Sequence, residues 1–546
     1  MCLKNRVDSD KYFYVINIIS KQKPIDLSLY ISQKATVEVI ALSPYSCFLL
    51  DRIAQEYKTY HSIVSEPFLK EQILQEYKLF ADIVKKYKKY NFLLRNFASL
   101  QTLERYVHHL FTFLSKKQNL GYKVIYITDT NLATDILAQN FSFDKTYHIQ
   151  NQDKLFYRCN KWKLAYSKFL YDSNILKKIY IRFFNKKGVF SYDNIHFISL
   201  YKHYKIEHRE SIYESEIEQL LKELELFIAQ RFPFLKQRYE TLFAQFLFYL
   251  KRVDASSLES IHPFTFLSQY RDYQDILLYK KNKIPKIFMQ HGSYYHENIF
   301  LKYNEIEPAD INFVFNQYTK ELFEKRGAKK VYEVGSINFN YKIKEKKKKY
   351  DFVYITYCTS YALGTGYIGN EDYILSIDGY NIYQRHKEVI ELFAHTLKDY
   401  KICIKIQPSL MTGDMKYIPL LELAKGYNNI VIEYTQPLKK LIASSRYIIS
   451  DYFSSEFINR ELHYKRDILL FQRNPLSLPQ ETLEDMKKMF ILVDDIADLE
   501  DKIKNINSIT KDRKRDEKII EYYSSKKCDT RNMVQEILAK ELHARR

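Results

Sequence analysis

From about residue 260 to residue 500 the chain alternates brief apolar runs with helical stretches, and no other feature constrains its fold as tightly. The runs Phe264–Leu267, Ile284–Met289, Ile311–Phe315, Lys330–Val334, Phe352–Thr356, Lys401–Ile406, Ile430–Glu433, Tyr447–Ile449, Ile468–Phe471 and Phe490–Val493 read as strands. Helical periodicity falls between them, at about 273–280, 384–398, 437–443 and 456–462. Strand, helix and strand at this spacing imply parallel strands joined by right-handed crossovers. In such sheets ligands sit at the carboxyl ends of the strands. Two strand ends, one in each half, are conspicuously polar and predict a cleft between two sheets: Gln290-His291-Gly292 and Ser450-Asp451-Tyr452-Phe453-Ser454-Ser455-Glu456.

The first 250 residues are more helical. Strands are expected at Tyr12–Ile19, Lys123–Ile127 and Ile195–Leu200, with helical tracts over about 51–117 and 214–250. Thr128-Asp129-Thr130-Asn131 reads as the cap of a helix carrying Leu132, Ile136 and Leu137. The run Lys342-Ile343-Lys344-Glu345-Lys346-Lys347-Lys348-Lys349 cannot sit in a core and marks a linker. The expected organisation is therefore an α/β domain over 1–340 with helical insertions, a basic linker at 341–350, a second α/β domain over 351–510 and a helical tail over 511–546. The residues from Ile496 onward read as two or three helices able to pack back across the first half.

Composition narrows the function classes. Hydrophobic residues make up 46% of the 546, but no run approaches the roughly 18 uncharged apolar residues of a membrane helix. The N-terminus lacks the apolar core of a signal peptide, so cytoplasmic residence is expected. Six scattered cysteines form no C-x-x-C pair and no zinc spacing, and neither metal nor cofactor is expected. Asp8-Ser9-Asp10 has the form of a metal-binding Asp-x-Asp, but it precedes a strand instead of ending one. The net charge of +19 favours anionic partners. It is dispersed and comes with no recognition module, which argues against nucleic acid.

The polar strand ends carry the chemistry. His291 caps its strand, acts as a general base toward an acceptor hydroxyl, or holds a phosphate oxygen, with Gln290 orienting its ring and Gly292 allowing close backbone approach. Asp272 is a rival base, or only a helix cap. Ser454 and Ser455 precede a helix, where hydroxyls and free amides suit an anion; Asp451 starts that turn. Glu456 either binds ribose hydroxyls or stabilises the helix through its dipole. Gly364, Gly366 and Gly369 spell a dinucleotide fingerprint, but they stand several residues beyond their strand, so they read as a loop over the cleft or a plain surface loop.

In order, Ile284-Pro285 to Gln290-His291-Gly292, Val334-Gly335-Ser336, Lys405-Ile406-Gln407-Pro408 and Ser450 to Ser455 resemble bacterial surface-polysaccharide transferases of GT-B type. That group includes the CDP-glycerol glycerophosphotransferases and the polysialyl- and Kdo-transferases; the resemblance covers roughly residues 260–475. It implies two Rossmann-like domains facing across a cleft, here with N-terminal helical insertions and C-terminal helices. It further implies a nucleotide-activated donor of CMP or CDP type and a saccharide or lipid-linked acceptor, while the basic surface and helical N-terminal bulk would suit peripheral contact with anionic lipid of the inner membrane. The chain departs from the pattern at Gln407, where those families carry histidine, and at Asn340, where aspartate is common. Gln407 can donate a hydrogen bond to a phosphate or a base but cannot take up a proton or a positive charge, so either the donor differs, or Lys405 and other cations stabilise the leaving phosphate, or the protein is a degenerate relative. A polyol-phosphate transferase, a catalytically dead scaffold and a nucleic-acid-binding protein remain the other readings.

Overall fold

A computed structural model describes residues 11–18, 25–32, 35–42, 44–59, 62–63, 86, 95–129, 136–149, 215–231, 234, 265–267, 285–290, 306, 309–336, 346–356, 379–406, 418–433, 436–450, 466–471, 480–513 and 516–543. Among these, every strand pairing is parallel.

The first unit is built on β1 (Lys11–Asn17), β2 (Thr36–Ala41), β3 (Lys58–Thr59), β4 (Tyr122–Thr128) and β5 (Lys145–His148), in the order β3-β2-β1-β4-β5. Its described helices are α1 (Pro44–Arg52), α2 (Arg95–Asn119) and α3 (Ile136–Asn140), followed by α4 (Ser215–Arg231). Strands β2, β3 and β5 are not evident in the sequence. β3 has two residues and falls inside the expected helical tract, while β5 is a polar, largely exposed edge strand without an apolar signature. Thr128 is the last residue of β4, not part of a helix cap, because its backbone continues the ladder with β1.

Strands β6 (Thr265–Leu267), β7 (Lys286–Met289), β8 (Ile311–Val314) and β9 (Val331–Glu333) form a separate sheet in sequential order among the described residues. Helix α5 (Gln317–Lys325), capped by the Asn316 side chain, links β8 to β9.

The third sheet contains β10 (Tyr350–Thr356), β11 (Ile402–Ile406), β12 (Ile430–Glu433), β13 (Ser445–Ser450), β14 (Ile468–Phe471) and β15 (Ile491–Val493), ordered β12-β11-β10-β13-β14-β15. Renumbered from its first strand, that order is 3-2-1-4-5-6, the doubly wound arrangement of dinucleotide-binding sheets, and the first unit repeats its 3-2-1-4-5 portion. The fold is thus α/β with two Rossmann-like units, as the resemblance implies, but the first of them lies within residues 11–148, which read as more helical in the sequence. Helix α6 (Gly379–Glu391), a π-helical turn (Leu392–Thr396) and α7 (Ile418–Leu423) lie on one face of the third sheet, packing Val389, Ile390, Phe393 and Leu420 against Phe352, Tyr354, Ile404 and Leu469. Helices α8 (Leu438–Ala443) and α9 (Gln480–Met489) cover the other, packing Leu441, Ile442 and Met486 against Val353, Ile448 and Leu470.

Four described helices close the chain: α10 (Ile496–Lys504), α11 (Ile506–Asp512), α12 (Glu517–Tyr523) and α13 (Thr530–His543). α10 buries Leu499 and Ile503 on the third sheet, and α12 adds Ile520 and Tyr523 to its opposite face. The chain then crosses to the four-stranded sheet, where α13 sets Val534 and Leu538 against Ile287, Ile311 and Phe313. Gly335, at φ +71°, is the seat of this crossing: a Cβ there would lie 2.3 Å from the Lys526 carbonyl oxygen, so only glycine fits.

Candidate functional site

Strand ends with spare polar capacity separate a binding edge from a structural one. In the third sheet, β11 and β12 lie to one side of β10 and β13 to β15 to the other, so the switch point falls between β10 and β13. Around it the carboxyl edge carries Thr356, Lys405, Ser450 and Phe471, each at or within one residue of a strand terminus.

Thr356 ends β10 and is buried; its hydroxyl shares a 2.6 Å hydrogen bond with Nε2 of His386, a residue of α6 that is itself buried. Burial, reinforced by the adjacent Arg385 charge, lowers the His386 imidazole to about 3, so it is neutral at physiological pH. Arg385 places its guanidinium carbon 4.0 Å from the ring centroid of Phe471, at the end of β14. Its Nη1 is buried and, among the described residues, has no hydrogen-bond partner. A guanidinium held over an aromatic ring, with one buried donor to spare, is suited to an oxyanion.

Lys405 is buried near the end of β11, on the sheet face opposite His386, in register with Glu433 of β12 and Ile355 of β10. Burial holds its ammonium below the usual lysine range, and the Glu433 charge opposes that effect. The edge therefore bears a cation on each face.

The four-stranded sheet ends differently. Gln290, expected beside the ring of His291, is buried with its Oε1 accepting from the Phe315 N–H at 2.5 Å and its Nε2 3.4 Å from the Thr319 hydroxyl. Asn316 donates to the Tyr523 carbonyl at 2.6 Å, Lys526 N–H to the Phe315 carbonyl at 2.8 Å, and Ser336 N–H to Ser525 Oγ at 2.7 Å. Thr530 donates to the Ser336 carbonyl at 3.2 Å, and the Cys528 thiol to the Val334 carbonyl at 2.9 Å. The segment joining α12 to α13 thus uses the polar groups of this edge for attachment.

Of the residues singled out in the sequence, Lys405 and Gln290 are placed as above. Asp272, His291, Gly292, Gly364, Gly366, Gly369, Gln407, Asp451, Ser454, Ser455 and Glu456 lie outside the described residues. Thr356, Arg385 and His386 were not apparent as site residues. The available signal was an adjacent Arg-His pair in the first turns of a helix that follows a central strand. No group of three His, Cys, Asp or Glu side chains suited to a metal ion occurs among the described residues, and none of their helices is long and apolar enough to cross a membrane.

No protein-family model matches the sequence, and neither does any curated protein. Solved structures it is similar to include the UDP-GlcNAc 2-epimerase of Methanocaldococcus jannaschii, at 14% identity and a TM-score of 0.33, covering 54% of this chain and 80% of that one. The calicheamicin glycosyltransferase CalG4 is 10% identical at a TM-score of 0.32, with 78% and 89% covered. MurG of Acinetobacter baumannii is 10% identical at 0.30, with 78% and 93% covered. Similarity at this level decides nothing about activity.

Proposed function

We propose that the protein is a GT-B-type glycosyltransferase that takes a nucleotide-activated sugar, of CMP or CDP type, and extends a bacterial capsule, lipopolysaccharide or related surface polysaccharide. The observation that carries this reading is the carboxyl edge of the third sheet, where Arg385 keeps a buried donor without a partner among the described residues, beside the switch point of a doubly wound sheet. The donor phosphates would lie against Arg385 and Lys405. Ser454 and Ser455 would add hydroxyls and helix amides to them, the loop with Gly364, Gly366 and Gly369 would line the diphosphate, and Glu456 would hold the ribose. As the glycosyl bond breaks, negative charge grows on the leaving phosphate, and fixed cations stabilise that charge more than the ground state.

His291 would draw the proton from the acceptor hydroxyl, with Asp272 the rival base. The acceptor, a saccharide or lipid-linked glycan, would sit on the first half, and the +19 charge would favour anionic lipid at the inner membrane surface. A thermal-shift screen of CMP, CDP, UDP, GDP and TDP tests the reading: one nucleotide should raise the melting temperature of the wild type and fail to raise that of Arg385→Ala. If no nucleotide shifts the wild type, the donor assignment falls. Unchanged polymer production in cells carrying His291→Ala would remove the base.

A further inference from the structure

Helix α6 belongs to the third sheet by sequence but is bonded to the first unit. Tyr383, one turn before His386, is 3% exposed and packs in the first unit's core with Ile16, Ile18, Cys47 and Phe48. Its hydroxyl donates to Asp51 Oδ2 at 2.7 Å, and Lys387 Nζ reaches the same oxygen at 2.9 Å. Tyr57 of the first unit donates to the other oxygen at 3.2 Å. Tyr383 and Lys387 are four residues apart and share one face of α6. Asp51 stands in the last turn of α1, where a carboxylate opposes the helix dipole, so stabilising its own helix does not account for it. Burial, then the bond to Asp51, raises the Tyr383 hydroxyl well above the usual tyrosine range and keeps it a donor.

Between these two anchors lie Arg385 and His386, the residues that α6 presents to Phe471 and Thr356. We infer that Asp51 is a positioning residue: it ties α6 to the first unit and so makes the anion-binding set of Arg385 depend on how the two Rossmann-like units meet. The inference rests on the nucleotide reading for its consequence, but the tether itself does not. By reciprocity, a ligand drawn to Arg385 would tighten the contact between the units.

The test uses the full chain and four variants: Asp51→Asn, Asp51→Glu, the reciprocal pair Asp51→Lys with Lys387→Asp, and Arg385→Ala. Amide hydrogen exchange over residues 379–391 is measured without ligand, and affinity for the best nucleotide of the five-compound screen by calorimetry. Asp51→Asn should raise exchange in α6 and weaken the nucleotide about tenfold. Asp51→Glu and the reciprocal pair should restore part of both, and Arg385→Ala should weaken binding without loosening α6. Unchanged exchange in α6 of Asp51→Asn overturns the tether. Loosened α6 with unchanged affinity overturns the positioning role. If the wild type binds no nucleotide, the donor reading fails by itself and exchange alone judges the tether.

Discussion

Two parallel sheets in this chain end in polar residues, and they use them in opposite ways. At the four-stranded sheet, Gln290, Asn316 and Ser336 bond to Phe315, Tyr523 and Ser525, so the C-terminal segment is stitched to the edge, while Ser524 Oγ in that segment and the Asn312 side chain within β8 stay buried without a partner among the described residues. At the six-stranded sheet, Thr356 is matched by His386, but Arg385 retains a buried Nη1 and Lys405 remains a desolvated cation. A polar turn after a strand is therefore not by itself a sign of binding. At the six-stranded edge the spare group is a charged donor, and an unpaired buried donor is costly unless a ligand completes it.

The contrast can be broken by mutation. Gly335→Ala should have the largest effect, about 3 kcal/mol or more of lost stability in chemical denaturation, since it combines a left-handed φ with a 2.3 Å clash against backbone. The folded fraction should bind nucleotide unchanged, and weakened binding would mean that the closed edge also serves the ligand. Arg385→Ala should do the reverse. Losing a charge-assisted contact worth about 1.5–3 kcal/mol lowers nucleotide affinity by about 10- to 150-fold in calorimetry, with stability moving by less than about 1 kcal/mol. A large loss of stability with no loss of affinity would make Arg385 structural and erase the difference between the edges.

His386 sharpens the comparison through pH. Its folded value, about 3, lies below the unfolded 6.5, so the unfolded chain takes up the proton first. Stability from this group is fully present above pH 6.5 and is lost as the pH falls toward 3, with a slope of at most about 1.4 kcal/mol per pH unit. His386→Gln should flatten the denaturation midpoint between pH 7 and pH 5 relative to the wild type. The smallest effect is expected from Lys405→Met. Removing a partly desolvated charge should leave stability within about 1 kcal/mol at neutral pH while weakening nucleotide binding. In the wild type the lowered lysine makes stability rise as the pH approaches 10.5, a trend the variant should lack.

Most of the second half was legible because its central strands are buried, and even its edge strands β12 and β15 carry short apolar runs. Phe352, Ile404, Ile448 and Leu469 are fully buried, and such strands show as apolar runs whatever lies beside them. β2, β3 and β5 of the first unit were missed for the opposite reason, since two are sheet edges and β2 is only partly buried. Within the site, Lys405 was recognisable as a cation at a strand end. Arg385 and His386 were not, because on a helix their importance depends on which residues α6 faces. Val334-Gly335-Ser336 stood out in the sequence and has a structural explanation as the seat of the C-terminal crossing.

The sequence alone determined that this chain is α/β, with parallel strands in its second half, because strand and helix periods are local and follow from which side chains need burial. Only the tertiary structure decided that Asp51 meets Tyr383 across 332 residues, and that the last helix completes a sheet formed from the middle of the chain. Contacts of that range leave no periodic mark on the sequence: each depends on one carboxylate, one hydroxyl or one absent Cβ, fixed in place by packing around it.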